Sequence, residues 1–227
     1  MEQAGIASGA NRPDQGTISA TRQSPLVLLA PLSLQSCAAA SLRPPTTPAP
    51  TASERLRAAA TEAGVPFPLE QVALRVCKRL RRLELWSGGV CVKTYRVALG
   101  AEPNLDKEWE GDQRTPVGDF YVCTRNERSR FHLFLGLSYP NAEDAVRGLR
   151  AGLISREQHD AILQAQRARA RPPWDTPLGG EIGIHGGGVN TDWTAGCVAL
   201  DNADIEELWL ACPLGTPVTI TLPPAPG

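Results

Sequence analysis

The chain has 227 residues, 42% of them hydrophobic, which is enough for one ordinary globular domain with tails or for two small domains. Its 23 lysines and arginines nearly balance its 24 aspartates and glutamates, so the formal net charge is −1. This balance excludes a general electrostatic attraction to nucleic acid or to anionic lipid, and a partner must be recognised locally.

The N-terminal segment has the pattern of an export signal. Arg22 precedes the apolar run PLVLLAPLSL of residues 25–34, which is too short to span a bilayer. LQSC follows and ends at Cys37; it resembles the lipobox of bacterial lipoprotein signals, although Gln35 stands where a small residue is usual. We therefore interpret residues 1–36 as a signal segment and Cys37 as a lipidation site, with an untargeted tail as the alternative.

Residues 37–70 are interpreted as a tether followed by a short helix. The prolines at 44–50 lie within SLRPPTTPAPTASE, a composition typical of extended linkers. ERLRAAATEA at 54–63 favours a helix that ends at Gly64. Such a tether would hold a folded domain away from a membrane, so that the lipid anchor would be its only membrane contact.

Residues 71–222 have the pattern of one mainly β domain with helical insertions. The glycines of SGG at 87–89 predict a hairpin between two of the strands. The predicted strands of the first half are VALRVC (72–77), RRLELW (81–86), VCVKTYRVAL (90–99) and, after a polar loop, RTPVGDFYVC (114–123).

The spacing of apolar residues changes between residues 141 and 170, where two stretches fit amphipathic helices. Ser155 and Gln158 have the spacing of a capping box. We expect this helical pair to be an insertion in the β domain. The elements that complete the chain are a strand EIGIH (181–185), a helix near 203–210 capped by Asp201 or Asn202, a last strand TPVTITL (216–222) and a tail (223–227).

The six cysteines contain no CxxC pair, which argues against a structural zinc knuckle, and we expect neither a metal nor another cofactor. If Cys37 is lipidated and Cys197 stays free, the other four could form up to two disulfides in an oxidising compartment. Reduced, buried thiols are the alternative for those in apolar runs. The four are Cys77, Cys91, Cys123 and Cys212.

Residues 183–200, GIHGGGVNTDWTAGCVAL, place one histidine and one cysteine beside glycines with a polar loop between them. A cysteine is nucleophilic as its thiolate and needs a nearby base or cation. His185 could take the proton of Cys197, and the amides around Gly196 could form an oxyanion hole. On spacing alone, a buried structural histidine and an inert cysteine remain the alternative.

The longer segment IHGGGVNTDWTAGCVALDNADIEELW resembles the signature of YkuD-type L,D-transpeptidases, which have a His-Gly, a loop and [Ser/Thr]-x-Gly-Cys before an acidic helix. TPVGDFYV (115–122) matches the Thr-Pro-x-Gly-x-Phe strand entry of the same family. FHLFLGLSYPNAEDA (131–145) is similar to the YafK-like branch. The resemblance covers about 72–222 and implies a YkuD-like β-sandwich or barrel-like catalytic domain.

By this resemblance, Cys197 is the nucleophile and His185 is its general base. The backbone carbonyl of Gly186 orients the imidazole. Gly196 supplies an oxyanion-hole amide together with the cysteine. Thr194 stands at the hydroxyl position of the motif, where we expect it to bind substrate.

The chain departs from the family pattern at two positions. A second histidine, common immediately before Gly-Cys, is replaced by Ala195, which leaves the base in place. An arginine or asparagine, common two residues after the cysteine, is replaced by Ala199, so a polar group facing the substrate is expected to be missing. We expect the helical pair at 141–170 to compensate by covering the groove as a lid.

Three further residues are candidates for substrate binding. Trp193, within the loop, could pack against peptide or glycan. Arg114 could meet a carboxylate of a stem peptide. His132, in RFHLF, could line the groove or be structural, whereas His159 lies in a polar helical stretch and is expected to be solvated.

The resemblance implies an enzyme of the bacterial cell envelope, in the periplasm, that acts on peptidoglycan stem peptides. Cys197 would attack the amide after the diamino acid of a tetrapeptide stem, release D-alanine and hold a thioester. An amine of another stem would give a cross-link, and an amine of an envelope lipoprotein would give an anchored protein. Water would give the YafK-like amidase or carboxypeptidase activity, and a wall-binding module without turnover is the remaining alternative.

Overall fold

The computed structural model describes residues 48–222, which form one eight-stranded β-sheet with four helices. The strand order in the sheet is 3-2-1-8-4-5-6-7, numbered along the chain. The predicted mainly β fold with helical insertions is confirmed. The elements are α1 (Ala52–Glu62), β1 (Ala73–Cys77), β2 (Arg82–Ser87), β3 (Val90–Arg96), β4 (Gly118–Ser129), β5 (His132–Leu137), α2 (Ala142–Arg150), α3 (Arg156–Arg167), β6 (Gly183–His185), β7 (Val198–Ala199), α4 (Asn202–Ala211) and β8 (Pro217–Thr221).

Several predictions concern residues outside this range. The signal segment 1–36, the lipidation site Cys37, residues 37–47 of the tether and the tail 223–227 all lie outside the described residues. The predicted domain boundaries at these positions therefore stay predictions.

The first three strands form an antiparallel meander. Leu83 and Leu85 alternate with less buried residues of β2 and are fully buried, as expected for a strand with one face on the core. The turn from β2 to β3 consists of Gly88 and Gly89, with φ of 55° and 85°. Both positions require the left-handed region, which explains the predicted SGG hairpin.

The last strand joins the two halves of the sheet. β8 pairs in parallel with β1, with Val218 opposite Leu74. On its other side it pairs antiparallel with β4, with Ile220 opposite Gly118. The ends of the domain thus meet in the middle of the sheet, and the chain between them supplies the long connection that a parallel pair needs.

The second half of the sheet carries the strands nearest to the cysteine and histidine. β4 and β5 form a hairpin whose tip, residues 129–132, we call the hairpin tip. β6 pairs antiparallel with β5, with Ile184 opposite Leu135. β6 is shorter than the predicted 181–185, because Glu181 has a left-handed φ of 53° that interrupts the extended chain.

The helical pair α2 and α3 packs around a small apolar cluster of its own, formed by Ala145, Ile154, Ile162 and Leu178. The predicted capping box of Ser155 and Gln158 is confirmed at the start of α3. The prediction for His159 is wrong: it is a buried residue, with Nδ1 2.7 Å from Asp160. It lies one turn before Ile162, on the inward face of the helix.

The start of α4 differs from the prediction in its cap. Asp201 is the N-cap residue but makes no side-chain capping hydrogen bond. Asn202 Oδ1 instead accepts a hydrogen bond from the amide of Gly187 at 3.0 Å. The side chain expected to cap the helix therefore holds the glycine-rich loop.

A buried carboxylate ties α1 to α4 and β3. Glu207 on α4 is fully buried and contacts Arg55 Nε at 2.5 Å, Lys93 Nζ at 2.6 Å and the hydroxyl of Tyr95 at 2.9 Å. These three donors satisfy a charge that would be costly to bury alone. Arg55 also lies 3.8 Å from Glu206 and donates to the carbonyl of Ala203.

The cysteines of residues 48–222 form no disulfide, so the two-disulfide alternative does not hold there. Cys212 is buried, Cys77 and Cys123 are half-buried, and Cys91 is exposed. Exposure of Cys91 differs from the expected burial, because it alternates outward on an edge strand. Across the same residues, none of the helices is both long and apolar enough to cross a bilayer.

Candidate active site

Two short strands bring the histidine and the cysteine to one edge of the sheet. His185 is the last residue of β6, and Cys197 directly precedes β7. The strands pair in parallel, with Ile184 opposite Val198. The amide of Leu200 donates to the carbonyl of His185 at 2.8 Å, which extends the pairing past the end of both strands.

The imidazole of His185 is held in one orientation. Nδ1 lies 2.6 Å from the carbonyl oxygen of Gly186, and because a carbonyl only accepts, Nδ1 carries the proton. The ring of Phe131 stacks on the imidazole, with 4.5 Å between centroids and 19° between planes. Trp193 contacts it edge-on at 5.6 Å. Nε2 is therefore left with its lone pair available for a proton.

Burial lowers the pKa of His185 below its ordinary value of 6.5, because desolvation disfavours the imidazolium. The charge of Arg130 lowers it further, and the hydrogen bond to Gly186 opposes both effects. The histidine is thus a neutral base at neutral pH.

Burial also raises the pKa of the Cys197 thiol to about 11. The backbone amide of Gly183 and the charge of Lys107 act in the opposite direction but do not outweigh desolvation. Sγ lies 3.5 Å from the carbonyl oxygen of Glu181, to which the thiol donates. At neutral pH the cleft therefore holds a neutral thiol and a neutral imidazole, and not a thiolate and an imidazolium.

Thr194 and Gly196 are joined by hydrogen bonds within the loop. Thr194 is buried; its Oγ1 donates to the carbonyl of Cys197 at 2.7 Å and accepts from the amide of Gly196 at 3.1 Å. The hydroxyl therefore has two hydrogen-bond partners within the loop, and its contact with substrate stays a prediction. The Gly196 amide already donates a hydrogen bond to this hydroxyl, and the oxyanion hole expected from the Gly196 and Cys197 amides stays a prediction.

Glycine is required at position 196 by its backbone and by its neighbours. Its φ is 136°, and a Cβ there would lie 2.7 Å from the carbonyl oxygen of Arg114 and 2.9 Å from Ile182 Cδ1. Both the left-handed conformation and the lack of space exclude a side chain. This close approach fixes the backbone immediately before the cysteine.

His185 and Cys197 both line a cleft of about 1140 Å³. Its walls are formed by the β4–β5 hairpin, by residues 171–182 and by the loop 193–197. Trp193 lies in this lining and donates from Nε1 to the carbonyl of Gly188 at 3.1 Å. The expected position of Trp193 in the groove therefore agrees with the structure, and its contact with substrate stays a prediction.

Two expected substrate contacts lie outside this lining. His132 Nε2 lies 2.9 Å from Glu206 Oε1, so its ring points to α4. The side chain of Arg114 lies 3.2 Å from Glu108, and its guanidinium lies over the ring of Trp109. Both side chains contact other parts of the chain, and the binding of substrate by His132 and Arg114 stays a prediction.

The structure also corrects the expectations for Ala199 and for the helical pair. Ala199 is fully buried with Ala98 and Val189, so its side chain points away from the cleft and an arginine there would not fit. Residues 141–170 contribute nothing to the lining of the cleft, because α2 and α3 pack on their own cluster. The lid proposed for these helices is not present.

Sequence reasoning missed several lining residues. Arg130, Phe131 and Phe134 come from the β4–β5 hairpin, and Arg171 comes from the segment after α3. The alternation of basic and aromatic residues in RSRFHLF (128–134) was a usable signal. Within residues 48–222, no group of three histidine, cysteine or acidic side chains is placed to bind a metal.

Cys197 and the oriented imidazole of His185 line one cleft, and a thiol and an imidazole are the groups that enzymes with a cysteine nucleophile use. The model of the YkuD family, the L,D-transpeptidase catalytic domain, matches residues 72–220, and the chain belongs to this family. The comparison with curated proteins found no match.

Three solved structures are similar to this chain. The helical cell shape determining protein Pgp2 from Campylobacter jejuni is 19% identical, with a TM-score of 0.48 over 74% of this chain and 55% of that chain. Bd1075 from Bdellovibrio bacteriovorus is 20% identical, with a TM-score of 0.44 over 69% and 49%. An L,D-transpeptidase from Xylanimonas cellulosilytica is 19% identical, with a TM-score of 0.39 over 72% and 68%. The chain thus spans about half the length of the first two.

Replacing Thr194 by valine should loosen the backbone around the nucleophile, because it removes both hydrogen bonds of the hydroxyl. We expect the rate of acylation of Cys197 by a carbapenem-type β-lactam to fall about tenfold or more and the free energy of unfolding to fall by about 1–3 kcal/mol. Thr194→Ser keeps the hydroxyl and should retain both the acylation rate and the free energy of unfolding. A valine variant with an unchanged acylation rate and a raised KM for stem peptide would instead support substrate binding by Thr194.

The raised pKa of Cys197 predicts a distinctive alkylation profile. The rate of its reaction with iodoacetamide should increase with pH up to about 11, because the thiolate is the reactive form. Peptide-resolved mass spectrometry measures this rate, with the exposed Cys91 as an internal reference. If the alkylation rate of Cys197 reached a plateau near neutral pH, the thiol would already be ionised there. Its pKa would then not be raised.

Proposed function

We propose that this protein is an envelope L,D-transpeptidase that uses Cys197 to form a thioester with peptidoglycan stem peptides. The observation that carries the proposal is that Cys197 lines the same cleft as His185, whose imidazole is held at Nδ1 by the carbonyl of Gly186. The cleft volume of about 1140 Å³ exceeds that of an ordinary small-molecule site and accommodates an oligopeptide. Membership of the YkuD family supports this substrate class.

In the first half-reaction, Sγ of Cys197 attacks the carbonyl carbon of the amide that follows the diamino acid of the stem. The thiol proton passes to Nε2 of His185 as the S–C bond forms, so the neutral pair becomes ionised only with substrate present. The tetrahedral intermediate then collapses, and the C–N bond breaks. The imidazolium returns its proton to the departing amine of D-alanine.

In the second half-reaction, an acceptor attacks the thioester. An amine of another stem gives a cross-link, and an amine of an envelope lipoprotein gives an anchored protein. His185 removes the proton of the acceptor, and Cys197 leaves as the thiol. Attack by water would make the protein a YafK-like amidase or carboxypeptidase. Mass spectrometry of the muropeptide products distinguishes these outcomes.

We expect Cys197→Ser to abolish turnover of purified tetrapeptide muropeptides, because a hydroxyl has a far higher pKa than a thiol. His185→Ala should lower the rate by about 10²–10⁴-fold, the contribution of a general base. His132→Ala, with its ring on Glu206, is the matched control and should do much less. The measurement is mass spectrometry of the muropeptides after incubation with a protein that comprises residues 48–227.

The products decide among the alternatives. Cross-linked or exchanged stems support transfer, and shortened stems alone support the hydrolase. No product with any muropeptide, while the protein still binds them, would support the wall-binding module. A carbapenem adduct on a cysteine other than Cys197 would overturn the assignment of the nucleophile.

We further propose that the chain is processed before Cys37 and anchored to the envelope through a lipid on that residue. The proposal is supported by LVLLAPLSLQSC and by the proline-rich stretch behind it. The mass of the N-terminal peptide from a membrane fraction should show a lipidated Cys37, and Cys37→Ala should release the protein from that fraction. Recovery of the unprocessed chain in the cytosol would refute the proposal.

A further inference from the structure

The cleft is basic although the chain as a whole is close to neutral. Five cationic side chains line it against two acidic ones, whereas the complete chain has a net charge of −1. A local excess of positive charge in a concave site favours an anionic ligand. The cationic residues are Lys107, Arg125, Arg128, Arg130 and Arg171, and the acidic residues are Glu110 and Glu181.

Two of the five cations already have partners. Lys107 Nζ lies 2.8 Å from Asp112 and donates to the carbonyl of Trp109 at 2.9 Å. Arg125 donates to the carbonyl of Trp209 at 2.7 Å. The other three guanidinium groups make no hydrogen bond or ion pair with any residue of 48–222, and they are those of Arg128, Arg130 and Arg171.

Arg130 is the one of these three that lies at the reaction centre. It sits on the hairpin tip, with its guanidinium 4.6 Å from the centroid of the Phe131 ring, and that ring stacks on His185. The positive charge of Arg130 affects the pKa of both His185 and Cys197. Neither Arg128 nor Arg171 has such an effect on both groups.

The backbone that presents Arg130 is fixed on both sides. The amide of Phe131 donates to Ser129 Oγ at 3.1 Å, and His132 is held to Glu206 of α4 at 2.9 Å. Stacking of Phe131 on the buried imidazole adds a third attachment. The arginine side chain is therefore free to take a ligand while its Cα stays in place.

We propose that Arg130 is a specificity residue that binds a carboxylate of the acyl-donor stem next to the scissile amide, so that the protein selects stems with that carboxylate free over stems with it amidated. The inference rests on the proposed function for its substrate. A guanidinium pairs with a carboxylate through two parallel hydrogen bonds, and a carboxamide offers neither the charge nor two acceptor oxygens. Three carboxylates qualify in a tetrapeptide stem whose diamino acid is diaminopimelate: that of the glutamyl residue, the second carboxylate of the diaminopimelate and that of the terminal D-alanine.

The test is a set of four tetrapeptides, one unmodified and three with a single carboxylate amidated. For the unaltered protein, kcat/KM should fall about 10–100-fold with one of the amidated peptides, the range of a hydrogen bond to a charged group. Arg130→Gln should lose the same factor on the unmodified peptide and little more on that amidated one. Arg130→Lys should recover part of the loss. Arg82→Gln is the matched control, because Arg82 pairs with Glu84 outside the cleft.

The pattern distinguishes specificity from a structural role. If Arg130→Gln lowered kcat/KM equally for all four peptides, the arginine would act by supporting the hairpin tip or by the overall positive charge of the cleft. That result would overturn the proposal. So would an unaltered protein that processes all four peptides equally well.

Binding tests the same inference without turnover. Calorimetry with Cys197→Ala and with the double variant Cys197→Ala, Arg130→Gln compares the affinity for the free and amidated peptides. A preference for the free carboxylate that disappears in the double variant supports the role of Arg130 even if no stem is turned over, in which case only the transpeptidase proposal fails. Affinities insensitive to amidation would overturn the role of Arg130 whatever the activity.

Discussion

The candidate site depends on the parallel pairing of two very short strands. β6 has three residues and β7 has two, and their pairing brings His185 and Cys197 together from opposite ends of a loop. Such short strands hold their register through their neighbours: β6 pairs with β5, β5 with β4, and β4 with the C-terminal strand β8. The positions of His185 and Cys197 relative to each other therefore depend on the whole sheet.

Within the loop, polar groups that resemble substrate contacts serve the backbone instead. Thr194 satisfies the Gly196 amide and the Cys197 carbonyl, and Asn202 satisfies the amide of Gly187. A glycine-rich loop has little side-chain packing, so these hydrogen bonds determine its conformation. Burial in the same region favours the neutral forms of the Cys197 thiol and the His185 imidazole.

Much of the fold and the central pair could be predicted from the sequence, because alternation, the double glycine at 88–89 and the spacing of the His-Gly and Gly-Cys motifs are local signals. The residues that form the walls of the cleft could not be predicted in this way. Phe131 contacts His185 only because a hairpin and a distant strand lie side by side, and Arg114 leaves the site because Glu108 and Trp109 hold it. Ala199 faces inward because β7 alternates away from the cleft, which the residue type alone does not indicate.

The Arg55 side chain links parts of the molecule that are distant along the chain. It contacts Glu207 and Glu206 of α4, and Glu206 also holds His132 of the hairpin tip above the imidazole. A displacement of α1 would therefore be passed to α4 and, through Glu206 and His132, to the hairpin tip, whose Phe131 stacks on His185.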